Sequence, residues 1–204
     1  MREGQYVTTV LENWRQDMRS VAEIFSSHEV LDAEGRHING TDKNGPNHNY
    51  GDAYESLFPD RASVKLMMEI GVADGSCLLA WREIFPNALC VGMDIHPSDK
   101  AHGDRIEFHL GDQCSKEDCE RTAAGRKFDF ICEDATHELS NTLLTLLYLW
   151  PSVKPGGLYV AEEFADIGAL RWNVLSMWPN VEIIDTIGPF GGVEPLVVFR
   201  KSPI

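Results

Sequence analysis

The chain reads as an α/β protein: a mostly parallel sheet of about seven strands with helices on both faces, closed by an antiparallel strand pair at its C-terminal end and preceded by an N-terminal helix. Three observations carry that reading. Short apolar, strand-like runs alternate with helical patterns from Val64 to Ala161, and such alternation builds parallel sheets through crossover helices. A glycine-punctuated turn, Gly71-Val72-Ala73-Asp74-Gly75, joins one of these runs directly to a helix. Finally, Val181 to Ile187 and Leu196 to Arg200 follow one another with no helix between them, which makes an antiparallel pair.

Each element has a local reason. Residues Val7 to Phe25 place Val7, Val10, Leu11, Trp14, Met18, Val21, Ile24 and Phe25 on one helical stripe, fit to pack on the core or on a second copy of the chain. From His28 to Asn49 the composition turns polar and is punctuated by Gly35, Gly40 and Asn44-Gly45-Pro46, which reads as a loop, a solvated one or a lid, before a short helix carrying Tyr54, Leu57 and Phe58 inward. Val64 to Ile70 is an apolar strand, Leu78 to Phe85 a helix, and Ala88 to Ile95 a second strand ending on Asp94. Arg105 to Leu110 is the third, followed by a helix with Ser115 as its cap. Phe128 to Cys132 is a strand of the buried type running into Glu133-Asp134-Ala135-Thr136-His137. Asn141 to Trp150 is helical, with Leu143, Leu144, Leu147 and Tyr148 expected to face inward. Leu158 to Ala161 is a strand terminating in Glu162-Glu163, and a further helix is expected near Ala169 to Met177. The chain thus divides into an N-terminal helical extension and loop over residues 1–40 and one α/β domain over 41–204.

Composition excludes several classes of function. Lys and Arg number 18 against 32 Asp and Glu, and a net charge of -14 with no basic cluster disfavours nucleic acid as a partner. No run of eighteen apolar residues and no basic-then-apolar leader is present, so a cytoplasmic location is expected. The cysteines, Cys77, Cys90, Cys114, Cys119 and Cys132, are odd in number and form no CxxC pair, which reads as free thiols in a reducing compartment. Cys114 and Cys119 find no further zinc ligands at a sensible spacing.

The unit from Val64 to Pro97 looks built for a nucleoside. A glycine turn entering a helix N-terminus lets backbone N–H groups approach a ligand, and an acid at the next strand's tip accepts from ribose hydroxyls. The turn lacks the middle glycine of a G-x-G-x-x-G dinucleotide site and lies behind Glu69, so it favours a cationic ligand over a diphosphate. An acid, a glycine, a second glycine and Asp94 in this order resemble the first motifs of the class I S-adenosylmethionine-dependent methyltransferases, whose sheet is Rossmann-like. By strand order, Asp94, Asp112, Asp134 and Glu162-Glu163 fall along the same sheet edge as the turn.

Together these strand ends resemble a narrower group, the metal-dependent sugar O-methyltransferases of the macrocin and mycinamicin type, with cephalosporin hydroxylase-like relatives. The marks are the Thr41-Asp42-Lys43 loop with His48 and Tyr54 behind it, MEIGVADGS from Met68, GDQ from Gly111, EDATH from Glu133 and KPGGLYVAEEF from Lys154, spread from about Thr41 to Arg200. The resemblance implies that Glu69, Gly71, Gly75, Ser76, Asp94 and Ile95, with Asp112, Gln113 and Asp134, hold S-adenosyl-L-methionine. It implies that Asp134, Glu162 and Glu163 hold Mg²⁺, since three carboxylates at neighbouring strand ends repel one another without a hard cation. It also implies His137 as the general base, whose ordinary pKa of about 6.5 suits neutral pH. The expected reaction is methyl transfer to a hydroxyl of a small polar acceptor such as a sugar or glycoside.

The sequence departs from the group's pattern in places. Ala73 stands where a glycine is usual, Glu133-Asp134-Ala135-Thr136-His137 replaces Asp-Asp-Gly-Ser-His, and Glu163 replaces Asp. The resemblance also starts without the long N-terminal region with which some members shape the acceptor pocket, so the acceptor stays open. A nicotinamide-dependent oxidoreductase, a metal-independent small-molecule methyltransferase and a silent binding module are the competing readings.

Overall fold

The computed structural model describes residues 19–28, 30–31, 37–38, 41, 43–44, 48–163, 181–188 and 191–203. In chain order its elements are helix α1 (Val21–Ser27), the short strands β1 (Val30–Leu31) and β2 (His37–Ile38), α2 (Gly51–Leu57), β3 (Leu66–Ile70), α3 (Ser76–Ile84), β4 (Leu89–Asp94) and β5 (Ile106–Leu110). There follow α4 (Lys116–Ala123), β6 (Phe128–Glu133), α5 (Leu139–Leu149), β7 (Val153–Ala161), β8 (Val181–Ile187) and β9 (Val193–Arg200). β1 and β2 form a separate hairpin-like pair, and the other seven strands form one sheet in the order β5-β4-β3-β6-β7-β9-β8. The first five are parallel, while β9 runs antiparallel to both β7 and β8. The expected sheet is therefore present, with β9 inserted between β7 and β8.

Alternation along the central strands explains their apolar runs, because both faces are buried. Met67, Cys90, Phe130, Cys132, Leu158, Val160, Leu196 and Val198 face one core, with α1, α2 and α3 packed on it. Met68, Val91, Ile131, Tyr159, Ala161, Val197 and Phe199 face the other, which takes α4 and α5. The first core is aromatic: Trp81 meets Tyr54 at 4.8 Å and Phe130 at 5.2 Å between ring centroids, both edge-on, as ring quadrupoles prefer.

Two expected boundaries are corrected. The helix expected from Val7 to Phe25 begins at Val21, because Ser20 in extended conformation forms a reciprocal capping box with Glu23. Its residues Val21, Ile24 and Phe25 are buried in the chain's own core, together with Tyr54 and Trp81. Residues 1–18, which carry the rest of the stripe, and the helix expected at Ala169 to Met177 lie outside the described residues. The strand expected from Leu158 starts at Val153, with a register shift opposite Phe128 and Phe130 that accommodates Pro155-Gly156-Gly157.

The inward face of α5 also differs. Thr142, Thr145, Leu146 and Leu149 are buried, while Leu144 is 37% and Leu147 61% exposed; Leu143 and Tyr148 are half-buried against the same core. The i, i+3, i+4, i+7 stripe is intact, but two of its members are threonines whose burial becomes tolerable through hydrogen bonds. Thr145 Oγ1 accepts from Gln113 Nε2 at 3.0 Å and donates to Asn141 O at 2.8 Å. We expect Leu146→Ala to cost about 2–5 kcal/mol in urea unfolding. Leu147→Ala, by contrast, should stay within about 0.5 kcal/mol of the parent.

Candidate active site

A cleft of about 430 Å³ opens at the C-terminal ends of β3, β4, β5 and β6, where ligands sit in open α/β sheets. Its floor is shaped by a close backbone approach. Gly71 has φ +85, and a Cβ there would lie 2.0 Å from Asp134 O, so glycine is required on both counts. Gly71 N donates to Met93 O and Asp134 N to Ile70 O, tying the turn to both neighbouring strands. Asp94 then closes over the turn: Oδ2 accepts from Val72 N at 2.8 Å and Ala73 N at 2.9 Å, and Oδ1 from His96 N at 2.8 Å.

On the far wall, Gln113 is 5% exposed and its amide is fully engaged. Nε2 donates to Glu133 Oε1 and Thr145 Oγ1, both at 3.0 Å, while Oε1 accepts from Thr136 N at 3.2 Å. Gln113 therefore anchors the loop after β6. Burial pushes the Glu133 carboxyl above its ordinary range, against the hydrogen bonds from Thr142 and Gln113.

At the mouth of β6 and β7, ligand-type atoms of Asp134, His137 and Glu163 all lie within 4.8 Å of one another. His137 Nδ1 stands 4.0 Å from Asp134 Oδ1, and His137 Nε2 3.5 Å from Glu163 Oε2. Glu163 Oε1 is paired with His48 Nε2, whose Nδ1 meets Glu194 Oε2 at 2.9 Å, and the His48 ring stacks on Tyr50. Burial alone would lower the His48 pKa, but the two carboxylates raise it to about 9, so the ring is an imidazolium near neutral pH. Ala73 (φ 48), His137 (φ 57) and Glu163 (φ 52) all line this cleft in the left-handed region, which costs a non-glycine residue about 1–2 kcal/mol. Such backbone is held by its surroundings and gathers at functional sites.

Behind the cleft lies a buried ionic network. Lys43 is 0% exposed, and its Nζ reaches Asp134 Oδ2 at 2.6 Å, Glu162 Oε2 at 2.9 Å and Glu69 Oε1 at 3.6 Å. Trp81 Nε1 donates to Glu69 Oε1 at 2.9 Å, Cys132 Sγ to Glu162 Oε1 at 3.2 Å, and the Tyr54 hydroxyl to that same Glu162 oxygen. Burial disfavours the ammonium, yet the facing Asp134 and Glu162 hold the Lys43 pKa well above its ordinary value. Conversely, burial would raise Asp134, and Lys43 brings it below the usual carboxylate range.

No family model matches the chain. Among curated proteins it is 34% identical over 134 residues to mycinamicin VI 2''-O-methyltransferase of Micromonospora griseorubida, covering 60% of this chain and 33% of that one. It is 32% identical to the 8-demethyl-8-alpha-L-rhamnosyl tetracenomycin-C 2'-O-methyltransferase of Streptomyces olivaceus, over 61% of this chain and 35% of that one. The chain thus spans about a third of the length of the curated relatives it matches. The solved MycE methyltransferase of the mycinamycin pathway, in complex with Mg and SAH, superposes with a TM-score of 0.71 at 21% identity, covering 98% of this chain and 61% of that one. The fold is that of a class I methyltransferase.

Within the methyltransferase fold, the residues expected to hold the donor divide into two sets. Gly71, Asp94, Ile95, Asp112, Gln113 and Asp134 line the cleft. Glu69, Gly75 and Ser76 lie outside its lining: Glu69 is under the turn with Trp81 and Lys43, and Gly75 (φ +94) packs against residues 98–101. Ser76 Oγ and Asp74 are both engaged by Lys100, which reaches Asp74 Oδ2 at 2.7 Å. Burial works against the Asp74 charge, but Lys100 and the Ser76 hydrogen bonds keep its pKa below the ordinary value. Of the residues expected to hold a metal, Asp134 and Glu163 face the cleft beside His137, whereas Glu162 turns to the opposite side of the sheet. Lys43 and Tyr54 complete the site from the N-terminal segment. Their signal in the sequence is the Thr41-Asp42-Lys43 loop with Tyr54 behind it, a pattern that composition alone assigns to a solvated loop and a core tyrosine.

Proposed function

We propose that the chain transfers the methyl group of S-adenosyl-L-methionine to a hydroxyl of a small polar acceptor, a sugar or glycoside, at this cleft, with a divalent cation beside it. The observation that carries the reading is the convergence of Asp134, His137 and Glu163 within 4.8 Å, in the same cleft as the Asp94-closed glycine turn. Asp94, Asp112, Asp134 and Glu163 give the lining an acidic character that attracts a sulfonium and an ammonium and repels a polyanion. The activities of the relatives, O-methylation of mycinamicin VI and of rhamnosyl tetracenomycin-C, support a glycoside acceptor, as does the MycE structure containing Mg, SAH and mycinamycin VI. Among the described residues no helix is long and apolar enough to cross a membrane, and all five cysteines are free. We place the chain in a reducing, cytoplasmic setting.

The donor set fits a hard cation: two carboxylates offer oxygen to Mg²⁺, and the imidazole is left for the proton. When bound, such an ion supplies charge that lowers the pKa of an acceptor hydroxyl. Asp94 positions the ribose side of the donor, Gly71 lets it approach the strand ends, and Ile70, Met93 and Ile95 provide apolar surface. His137 takes the acceptor's proton as its oxygen bonds to the methyl carbon and the carbon–sulfur bond breaks. Most of the acceleration comes from holding the two partners in line.

Calorimetric titration with S-adenosyl-L-methionine tests the donor part. Binding at micromolar concentration is expected, weakened at least about tenfold in Asp94→Ala, because a hydrogen bond to a charged group contributes about 1.5–3 kcal/mol. No binding at millimolar donor would overturn the reading. Turnover of a glycoside acceptor should stop on adding EDTA and return with Mg²⁺; turnover indifferent to chelator would remove the metal and leave methyl transfer standing.

A further inference from the structure

The side-chain network behind the cleft changes how the acidic cluster divides its labour. Glu162 and Glu163 are adjacent, and successive residues at a strand end point to opposite faces of the sheet. Glu162 N still donates to Glu133 O, so the ladder persists to that residue and sends its side chain into the core shared by Met67, Phe130 and Cys132. There both of its oxygens are engaged, Oε2 by Lys43 and Oε1 by Tyr54 and Cys132. Among the described acids of the cluster, Asp134 spans the two compartments, with Oδ2 on Lys43 and Oδ1 toward His137.

We propose that Lys43 is a built-in monovalent cation for the interior half of this cluster: it makes Glu162 a positioning residue for Asp134 and leaves a divalent ion to Asp134 and Glu163, with His137 beside them. The inference rests on the metal part of the function proposed above. Its physical basis is charge compensation. Glu69, Asp134 and Glu162 meet around one fully buried ammonium, and a second cation on that side would displace Lys43 into a space with no solvent to receive it. On the cleft side, Glu163 is 29% exposed and His137 35% exposed at the side chain; His48 holds Glu163 Oε1, and Oε2, beside His137, is the oxygen left to an ion arriving from water.

The test is Mn²⁺ binding to the purified chain without donor or acceptor, followed by calorimetry or by the electron paramagnetic resonance of free Mn²⁺. Glu163→Gln should weaken binding about a hundredfold, because it removes a ligand as well as a charge, and Glu162→Gln only about tenfold, because it removes a charge alone. Lys43→Met should tighten binding at least tenfold, because it removes a positive charge a few ångströms away in a poorly screened interior. That direction separates the proposal from a merely structural role, since a damaged site would bind more weakly. If Lys43→Met does not fold, the Lys43→Met/Glu162→Gln pair, which removes both charges, is expected to fold and to bind within threefold of the parent. Equal losses in Glu162→Gln and Glu163→Gln, or weaker binding in folded Lys43→Met, would overturn the assignment while leaving the metal reading intact. A parent chain that binds no Mn²⁺ would overturn both.

Discussion

Gly71→Ala is expected to destabilise the protein by roughly 2–5 kcal/mol, read from urea unfolding. Two independent costs add at this position. The backbone sits at φ +85, where an alanine pays about 1–2 kcal/mol. The new Cβ would also lie 2.0 Å from Asp134 O and 2.6 Å from Asp134 C, and relieving an overpacked contact costs typically about 1–3 kcal/mol. Because those atoms belong to the backbone of the residue after β6, relief must push Asp134 away from Gly71. On the proposed function, surviving folded protein should therefore also lose methyl transfer, through displacement of Asp134. A variant as stable and active as the parent would show that the turn and the β6 end are not in contact.

His137→Asn should lower kcat by about 10²–10⁴ while the affinity for S-adenosyl-L-methionine stays within twofold, measured by single-turnover kinetics and calorimetry. Asparagine is the informative substitution because it tolerates the left-handed backbone at φ 57, so the loop after β6 keeps its path. The loop is otherwise held by Gln113 through Thr136 N and by Asn141 Nδ2, which donates to Thr136 Oγ1 at 3.1 Å. A drop in donor affinity comparable with the drop in kcat would mean that His137 serves the donor instead of the acceptor's proton. Retained turnover would transfer the base to another group on the cleft wall.

Much of this architecture was readable before any coordinates. Alternating apolar runs located the central strands, because a strand buried on both faces needs hydrophobic residues at every position, as Met67 with Met68 and Phe130 with Ile131 illustrate. Turn chemistry placed Gly71 and Gly75, and the Ser115 cap appears as expected, accepting from Asp118 N at 3.2 Å. The fault lines lie where polar side chains are buried. Leucine content misplaces Leu144 and Leu147 of α5 while Leu143 and Tyr148 do pack on the core, because hydropathy does not see that Gln113 makes an inward Thr145 acceptable. Ser20 reads as one more residue of a long amphipathic helix, whereas its hydroxyl and Glu23 together start the helix at Val21.

Residue order along the strands located the glycine turn, the acids at the strand ends and the edge of the sheet on which they gather, since those follow from local periodicity and from where parallel strands must finish. Which of two adjacent glutamates faces the cleft, and that a lysine some ninety residues upstream of Asp134 neutralises the other, came from packing. Long-range ion pairs leave no periodic trace in the chain. They exist because a carboxylate carried into a dry core must find a cation there, and the partner is chosen by which segment the fold lays across that face.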